Sequence, residues 1–301
     1  MKKCIILLSC LALTACHKEL SIPIPDAEKK PVLNALFSED SVIYARASLS
    51  GRWTRQMAIF QPDSFSAPEG AIVKLYEDGV YQETLQPFSF YTTAFFRSTH
   101  KVQKGRQYRL SLEVPGYPIA EGIDTVPDRN TFTVSEQKVY EMPADGDSEL
   151  NFSFILHNTG NRPAHYVFKA YMLYNYTTTE QGQTVIRYER QQLWLGDKNA
   201  PPDIIFDKAS HMFMGLLSGQ SIPPGFRQLY VLRSSPRIKA DSLVLEVNVL
   251  SDAAWQYLST YDKALQTLDD PTAEKVNVFG NVQNGFGIVG ATASKEYLLL
   301  K

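Results

Sequence analysis

The chain has 301 residues, a formal net charge of −2 and a hydrophobic content of 44%, a composition that excludes a disordered protein. It contains no run of basic residues of the kind that nucleic-acid phosphates require, so we predict no nucleic-acid partner. The cysteines Cys4, Cys10 and Cys16 all lie at the start of the chain. The remaining body therefore has no disulfide, thiolate metal site or cysteine nucleophile.

The chain begins with the layout of a secretory signal that ends in a lipobox. A basic start precedes an apolar stretch of about twelve residues, which is too short for a membrane span and typical of a signal peptide. Leu13 and Ala15 are the hydrophobic and small residues that a lipoprotein signal peptidase requires before the cysteine. We predict a signal peptide over residues 1–15 and lipidation of Cys16 with acyl chains such as palmitate. An ordinary cleaved signal with a chance cysteine is the alternative.

Residues 17–30 are polar and interrupted by prolines, which predicts a tether, so that residues 16–30 hold the lipidated cysteine and its tether. Fully extended at about 3.5 Å per residue, the tether spans on the order of 50 Å. Residues 1–15 contain two of the 30 basic residues and none of the 32 acidic residues, so the mature chain carries a net charge of about −4. This balance argues against electrostatic docking on anionic lipid, and the acyl chains account for attachment to the membrane.

From residue 31 onward, short segments of alternating apolar and polar residues predict one β-strand after another. Asp78 and Gly79 lie between two such segments and predict a tight hairpin. Lys104 and Gly105 precede Tyr108 in the manner of a tyrosine corner, in which the phenol is tied back to the upstream backbone. We therefore predict an immunoglobulin-like β-sandwich over residues 31–128.

Residues 129–301 predict a second, β-rich domain with one amphipathic helix near the C-terminus, so the whole body is mainly β. The helix is expected over about residues 251–269, with Ser251 as its N-cap and an apolar stripe along one side. Two short strands, around Val276–Val282 and Gly287–Ala291, are expected to close the chain.

Residues 285–290 match the dinucleotide-binding pattern G-x-G-x-x-G, but their context rejects that function. The pattern must follow the first strand of a βαβ unit and open a helix, whereas here the remaining residues read as a strand. A glycine turn between two terminal strands is the better interpretation.

Asp145, Asp147 and Glu149 place carboxylates at alternate positions, as loops that bind calcium do. The other ligands of such a loop are absent, so an acidic turn facing solvent is preferred and a metal site is the weaker alternative.

The histidines are scattered, and no nucleophile motif is present. We predict a protein that is not an enzyme and needs no cofactor; a hydrolase whose carboxylates are assembled by the fold is the least favoured alternative.

Tyr171, Tyr174 and Tyr176 form a cluster of phenols in a predicted strand. Aromatic residues at alternate strand positions usually belong to a sandwich core, but phenols also suit half-exposed surfaces. These three residues are the candidate contacts with a ligand or partner.

Several short strings, read together, resemble a known family over the whole chain. The most specific is Asn281–Gly290, and the weaker ones are Pro31–Asn34, Gly105-x-x-Tyr108-x-Leu110, Val126-Pro127 and Asp270-Pro271. They resemble the outer-membrane lipoproteins of Bacteroidota catalogued as domain of unknown function 4249.

The resemblance implies a lipid-anchored protein of the outer membrane that acts as an accessory subunit of a TonB-dependent nutrient transporter, with the transporter barrel as its partner. It supplies no catalytic residues. Cys16–Glu19 partly resembles the export signal of surface lipoproteins, but Leu20 replaces a second acidic residue. The partial resemblance favours the cell surface as the location. Because of Leu20, the periplasmic face is the alternative. An independent surface module that binds glycan or peptide is the alternative function.

Overall fold

The computed structural model describes residues 28–51, 67–90, 93–143, 148–180, 183–193, 204–206, 216–218, 221–234, 242–267, 272–274 and 276–299. As predicted, the described body is mainly β and has one α-helix near its C-terminus. Cys16, Asp145 and Asp147 lie outside the described residues. No helix within the described ranges is long and apolar enough to cross a membrane.

In the described part of the chain, eight strands precede a 3-10 turn at Arg129–Thr131. They are β1 (Pro31–Ser38), β2 (Val42–Leu49), β3 (Ile72–Glu77), β4 (Val80–Thr84), β5 (Gln86–Phe90), β6 (Thr93–Lys101), β7 (Gln107–Glu113) and β8 (Ala120–Thr125).

The later elements include the helix α1 (Asp252–Gln266). The strands are β9 (Phe132–Pro143), β10 (Ser148–Asn158), β11 (His165–Glu180), β12 (Gln183–Leu193), β13 (Ile204–Phe206), β14 (Leu216–Ser218), β15 (Arg227–Ser234), β16 (Ser242–Leu250) and β17 (Phe286–Leu299).

One long sheet runs through the whole body in the order β13-β14-β11-β16-β17-β1-β2-β6-β5, with β12 also paired to β11. Two smaller sheets, β4-β3-β7-β8 and β15-β10-β9, complete the architecture. The first and last strands, β1 and β17, lie side by side and are parallel, whereas their other neighbours in the long sheet are antiparallel. The two ends of the described chain therefore meet in the middle of this sheet.

The N-terminal sandwich forms because alternate residues of the long sheet and of the four-stranded sheet are apolar. Leu33, Ala35 and Phe37 of β1 point into a core that also contains Val73 of β3 and Leu110 of β7. The alternation along β1 is visible as a strict succession of buried and half-buried residues. The two packed sheets form a β-sandwich, and its core also contains Val289 and Ala291 of β17, which lie outside residues 31–128.

The tyrosine corner predicted at Tyr108 is confirmed. The Tyr108 phenol is buried, and its oxygen accepts a hydrogen bond of 2.9 Å from the backbone amide of Gln103. Gly105, between them, has a φ of +72°, a left-handed conformation that glycine adopts at little cost. Burial raises the pKa of Tyr108 above its ordinary value, so the phenol remains a neutral structural contact.

The second core lies between the other half of the long sheet and the three-stranded sheet. Phe168 of β11 and Val247 of β16 face Phe152 and Phe154 of β10. The two cores fall on either side of residue 128, but one strand serves both. β17 contributes Val289 and Ala291 to the first core, and Ala293 and Leu299 to the second.

Helix α1 packs on the opposite face of the long sheet from the two cores. Its start agrees with the prediction, since the Ser251 hydroxyl accepts a hydrogen bond of 3.1 Å from the Ala254 amide and thereby caps the first turn. Ala254 and Leu258 bury one side of the helix together with Val167 of the sheet. A side chain at Gly290 would collide with Leu36 and crowd Ala254, so this glycine permits the close approach of helix and sheet.

The prediction of a strand over Val276–Val282 is wrong, because these residues form no strand. The strand predicted at Gly287–Ala291 exists but is much longer, since β17 continues to Leu299. The edge of β17 that a strand over Val276–Val282 would have paired is instead occupied by side chains.

Candidate functional site

Side chains take the place of a neighbouring strand along the part of the β17 edge that β16 does not pair. β16 pairs with β17 only from Thr292 onward, which leaves the backbone groups of Val289 and Ala291 without a ladder on that side. The side-chain amide of Asn281 accepts a hydrogen bond of 2.9 Å from the backbone amide of Val289. It also donates a hydrogen bond of 2.8 Å to the backbone carbonyl of Val289. The same amide also donates to the Ile123 carbonyl of β8 at 3.0 Å, so it joins β17 to the four-stranded sheet.

Asp124 and Ser251 complete this edge at Ala291. The Ala291 amide donates to the Asp124 carboxylate at 2.8 Å, and the Ser251 amide donates to the Ala291 carbonyl at 3.0 Å. The Ser251 hydroxyl donates a short hydrogen bond to the same carboxylate. Since Asp124 comes from β8 and Ser251 caps α1, these contacts fix the two sandwiches and the helix to one another.

The glycine-rich string before β17 has a structural explanation. A side chain at Gly285 would collide with the Pro31 carbonyl oxygen at 2.5 Å, and one at Gly287 would collide with the Leu33 carbonyl oxygen. Gly287 also has a φ of +110°. A turn does precede β17, but no helix follows the glycines, so the rejection of a dinucleotide site agrees with the structure.

We call the contacts of Asp124 and Ser251 with Ala291, together with those of Asn281 with Val289, the junction. A polar cleft of about 240 Å³ lies beside it. Its lining includes Asp124, whose carboxylate is bound by internal donors, together with Asp128, Asp252, Asn161 and Arg162. Such carboxylate, amide and guanidinium groups can hydrogen-bond the hydroxyl or amide groups of a small polar ligand. Sequence reasoning missed this cleft, because its residues come from separate segments that only the folded junction brings together.

The loop that forms one wall of the cleft is shaped by a buried asparagine. The Asn158 side chain donates to the carbonyls of Arg162 and Ile222 at 2.9 and 2.7 Å, and it accepts from the Gly160 amide at 2.9 Å. Each polar atom of this amide group therefore has a backbone partner, which holds the wall in one conformation.

His165 stacks on Trp255 at the start of β11 and α1. The ring centroids are 4.1 Å apart and the planes differ by 7°. Nδ1 of His165 is buried and has no hydrogen-bond partner among the described residues. Burial lowers the pKa of His165, and the nearby Asp252 carboxylate opposes this shift only in part, so the imidazole is held neutral.

Asp124 is a structural carboxylate rather than a free acid or base. Thr125 donates a third hydrogen bond to it, from the backbone amide at 2.8 Å. Burial raises the pKa of Asp124 above its ordinary value, although the hydrogen bonds from Ser251, Thr125 and Ala291 act in the opposite direction. Because these donors occupy both carboxylate oxygens, the structure offers no argument for using Asp124 in a hydrolytic pair.

The raised pKa of Asp124 predicts a pH effect on stability. A carboxyl whose pKa is higher in the folded state stabilises the fold most at low pH, and this contribution is lost as the pH rises through the folded-state value. We expect the free energy of unfolding of the wild type, relative to Asp124→Asn, to fall between about pH 4 and pH 7. Urea unfolding of both proteins across this range measures it. A difference that is constant or rises with pH would contradict the assignment.

The structure separates the three candidate tyrosines. Tyr174 and Tyr176 lie on one face of β11, where both phenols donate to the carboxylate of Glu189 on β12, at 2.5 and 2.9 Å. Tyr171 lies on the other face, because its position differs by an odd number of residues. There the Arg190 guanidinium lies 3.8 Å from the Tyr171 ring centroid. Tyr171 therefore does not form one contact surface with the other two.

A network of charges surrounds Tyr171 at the base of β12. The Glu246 carboxylate pairs with Lys169 at 3.1 Å and with Arg190 at 3.4 Å, and Arg190 also reaches Glu296 at 2.7 Å. Burial and the Glu246 carboxylate raise the pKa of Tyr171 to about 12. These contacts link β12 to β16 and β17. We therefore infer that Tyr171 has a structural role, in which it helps to hold β12 against the long sheet.

The outer part of the β11–β12 hairpin projects beyond the long sheet. β16 pairs with β11 only as far as Leu173, whereas β12 continues to pair with it as far as Glu180. Residues 174–180 and 183–189, which we call the arm, are therefore two-stranded among the strands that the structure describes. Ile186 and Tyr188 lie on one face of the arm and are 58% and 81% exposed.

The proposed acidic turn cannot be located in this structure. Asp145 and Asp147 lie outside the described residues, and Glu149 is described only as a backbone position in β10. Within the described ranges, no group of three or more His, Cys, Asp or Glu side chains could hold a metal ion.

These features define a class: a two-sandwich β protein built on one shared sheet, with its first and last strands locked together at a central junction. The family model described as Domain of unknown function (DUF4249) matches residues 17–297, and the chain belongs to that family. No similar sequence was found among curated proteins.

One solved structure is titled "Complete structure of manganese lipoxygenase of Gaeumannomyces graminis and partial structure of zonadhesin of Komagataella pastoris". Its similarity covers 90% of this chain and 97% of that chain at 10% identity, with a TM-score of 0.17. A score this low supports no statement about the fold or the function of this protein.

Proposed function

We propose that this protein is a bacterial outer-membrane lipoprotein, anchored through Cys16, that serves as a non-enzymatic accessory subunit of a TonB-dependent nutrient transporter. The lipobox and the resemblance to surface lipoproteins of Bacteroidota support the anchor and the location. The structural observation that carries the proposal is the arm.

The arm carries two large apolar side chains that are exposed. Tyr188 is 81% exposed and shares a face with the exposed Ile186. Tyrosine is enriched in the energetically dominant parts of protein interfaces, because it buries a large apolar ring and keeps a polar hydroxyl. A two-stranded ribbon is also weakly stable alone and gains stability by packing against another surface.

A second exposed apolar surface lies in the same stretch of the chain. Leu229 and Val231 face outward on β15, and Phe226 is exposed just before that strand. Together with Ile186 and Tyr188 of the arm, these residues form a group of exposed apolar side chains, and this group supports a partner contact in this part of the chain. Tethering to a common membrane raises the effective concentration of the partners to about the millimolar range, so a modest interface suffices.

The polar cleft favours a second candidate function, an independent surface module that binds glycan or peptide. Its lining of Asp128, Asp252, Asn161 and Arg162 suits hydroxyl or amide groups better than an apolar ligand. Such a module would bind its ligand without a transporter.

Copurification from native membranes separates the two functions. We expect the tagged wild type, extracted in mild detergent, to recover a TonB-dependent barrel in near-stoichiometric amount. The double variant Ile186→Ser, Tyr188→Ser should recover at least about tenfold less barrel, since truncating an aromatic anchor and its neighbour removes the centre of an interface. Quantitative mass spectrometry of the eluates is the measurement.

A matched control uses the other sandwich. Val80→Ser, Tyr81→Ser removes an aliphatic and aromatic pair from β4, 63% and 51% exposed, and should leave recovery unchanged. Recovery of this protein alone, under conditions that preserve other barrel–lipoprotein pairs, would contradict the accessory function and favour the independent module. Equal losses in both double variants would contradict the assignment to the arm.

A further inference from the structure

The chain enters the body at a defined end of the N-terminal sandwich. The Lys30 amide donates to the Ser50 hydroxyl at 2.9 Å, and the Ser50 amide donates to the Lys30 carbonyl at 2.8 Å. β1 starts at the next residue, Pro31. Any anchor upstream of residue 28 is therefore attached to this end of the sandwich, which we call the entry end.

Two large apolar side chains are exposed at the entry end. Phe286 is 52% exposed and Ile119 is 48% exposed. They are neighbours in the fold, because Asn284 donates a side-chain hydrogen bond of 3.1 Å to the Ile119 carbonyl, and Phe286 lies opposite Val32 of β1. The two side chains thus flank the point where the chain enters.

Phe286 is the member of the glycine-rich string that no packing requirement explains. Asn281 satisfies the edge of β17, and Gly285 and Gly287 avoid collisions with β1. Half of the Phe286 side chain remains in solvent, although a benzyl group gains free energy whenever it leaves water. Its exposed ring is therefore available for a contact outside the described chain.

The charges around Phe286 suit a lipid surface. The Lys30 ammonium lies 5.7 Å from the centre of the Phe286 ring, and Lys29 beside it is exposed. Glu28 and Glu69 are also exposed near this end, so the local charge is mixed rather than strongly basic. Such a surface can place an aromatic ring among lipid headgroups while its lysines meet their phosphates, as interfacial anchors do.

We propose that the entry end rests on the lipid surface in which Cys16 is anchored, with Phe286 and Ile119 inserted among the headgroups. The inference rests on the lipid anchor of the proposed function and adds an orientation to it. Two exposed side chains could not hold a free protein on a bilayer, but the tether keeps them close enough for a weak contact to persist. β3 runs away from the entry end, so the β3–β4 turn with Val80 lies at the opposite end of the sandwich.

The proposal can be tested with single labels, because the mature chain has no cysteine other than Cys16, whose thiol the anchor occupies. Full-length lipidated Ile119→Cys and Val80→Cys are each labelled with an environment-sensitive fluorophore. Both are placed in phosphatidylethanolamine and phosphatidylglycerol vesicles that contain doxyl-labelled lipid and no other protein. We expect quenching at residue 119 to be at least twofold stronger than at residue 80. Equal quenching, or stronger quenching at residue 80, would overturn the proposal.

A second variant separates contact from mere proximity to the tether. In the background Phe286→Asp, the label at residue 119 should lose at least half of its quenching, because a carboxylate does not enter the headgroup region. Unchanged quenching would show that the tether alone sets the distance and would overturn the role of Phe286. Intact mass confirms acylation of Cys16 in every sample, and the vesicles lack a transporter. A failure of the anchor or of the partner is therefore distinguishable from a failure of the orientation.

Discussion

Replacing Cys16 with alanine is expected to abolish membrane attachment. Under the proposed lipid anchor, the substitution removes the thiol that would receive the diacylglycerol and the processing site that depends on it. Two or more acyl chains give stable anchoring, whereas one chain gives only marginal binding. The mature chain is mildly acidic and has no basic run that could hold it on anionic lipid. Nearly all of the variant should therefore be unprocessed precursor or soluble protein, while the wild type partitions into detergent.

Cys10→Ala is the matched control for this experiment, because Cys10 lies in the apolar stretch of the predicted signal peptide and not at the proposed lipidation site. Its fractionation should equal that of the wild type. Detergent phase partitioning and intact mass provide the measurements. If the Cys16 variant still fractionates with the outer membrane after a high-salt wash, the lipobox interpretation is wrong.

Local sequence patterns correctly predicted the features whose interacting residues lie close together in the sequence. The corner at Tyr108 depends on a glycine and a backbone amide a few residues upstream, and the cap at Ser251 on an amide three residues downstream. In each case the interacting groups lie within one turn of chain, so the residue types are sufficient to predict the contact.

The junction could not be predicted in the same way. Periodicity specifies that β1 and β17 are strands, but it does not specify that strands about 250 residues apart pair in parallel. The string around Asn281 has the apolar alternation of a strand, yet its asparagine satisfies the backbone of β17 from the side. The Asn281 side chain makes the hydrogen bonds to β17 that a neighbouring strand, predicted from the apolar alternation alone, would have made.

The tyrosine cluster shows a different limit. Alternation along a strand places Tyr171 opposite to Tyr174 and Tyr176, and the structure follows that rule. What the sequence does not show is that β16 stops pairing at Leu173 and leaves the arm to project. Exposure of Ile186 and Tyr188 is a consequence of that unequal strand length, which depends on long-range pairing.

Gly287→Ala is expected to destabilise the body by at least about 4 kcal/mol, in the range of severe single substitutions. Two costs combine at this position. Its φ of +110° is unfavourable for any residue with a Cβ, and that Cβ would collide with the backbone carbonyl of Leu33. Relief requires β1 and β17 to separate, which would disrupt the centre of the long sheet and the junction at Ala291.

Gly79→Ala separates the two costs. Gly79 also has a positive φ, of +82°, but a Cβ there would meet no atom within 4 Å. We expect this control to lose only about 1–2 kcal/mol, the penalty of a left-handed conformation. Thermal unfolding followed by circular dichroism should show a decrease of a few degrees for Gly79→Ala, and a decrease of at least about 10 °C or no cooperative transition for Gly287→Ala. Similar melting temperatures for the two variants would show that β1 and β17 are not held as closely as the shared sheet requires.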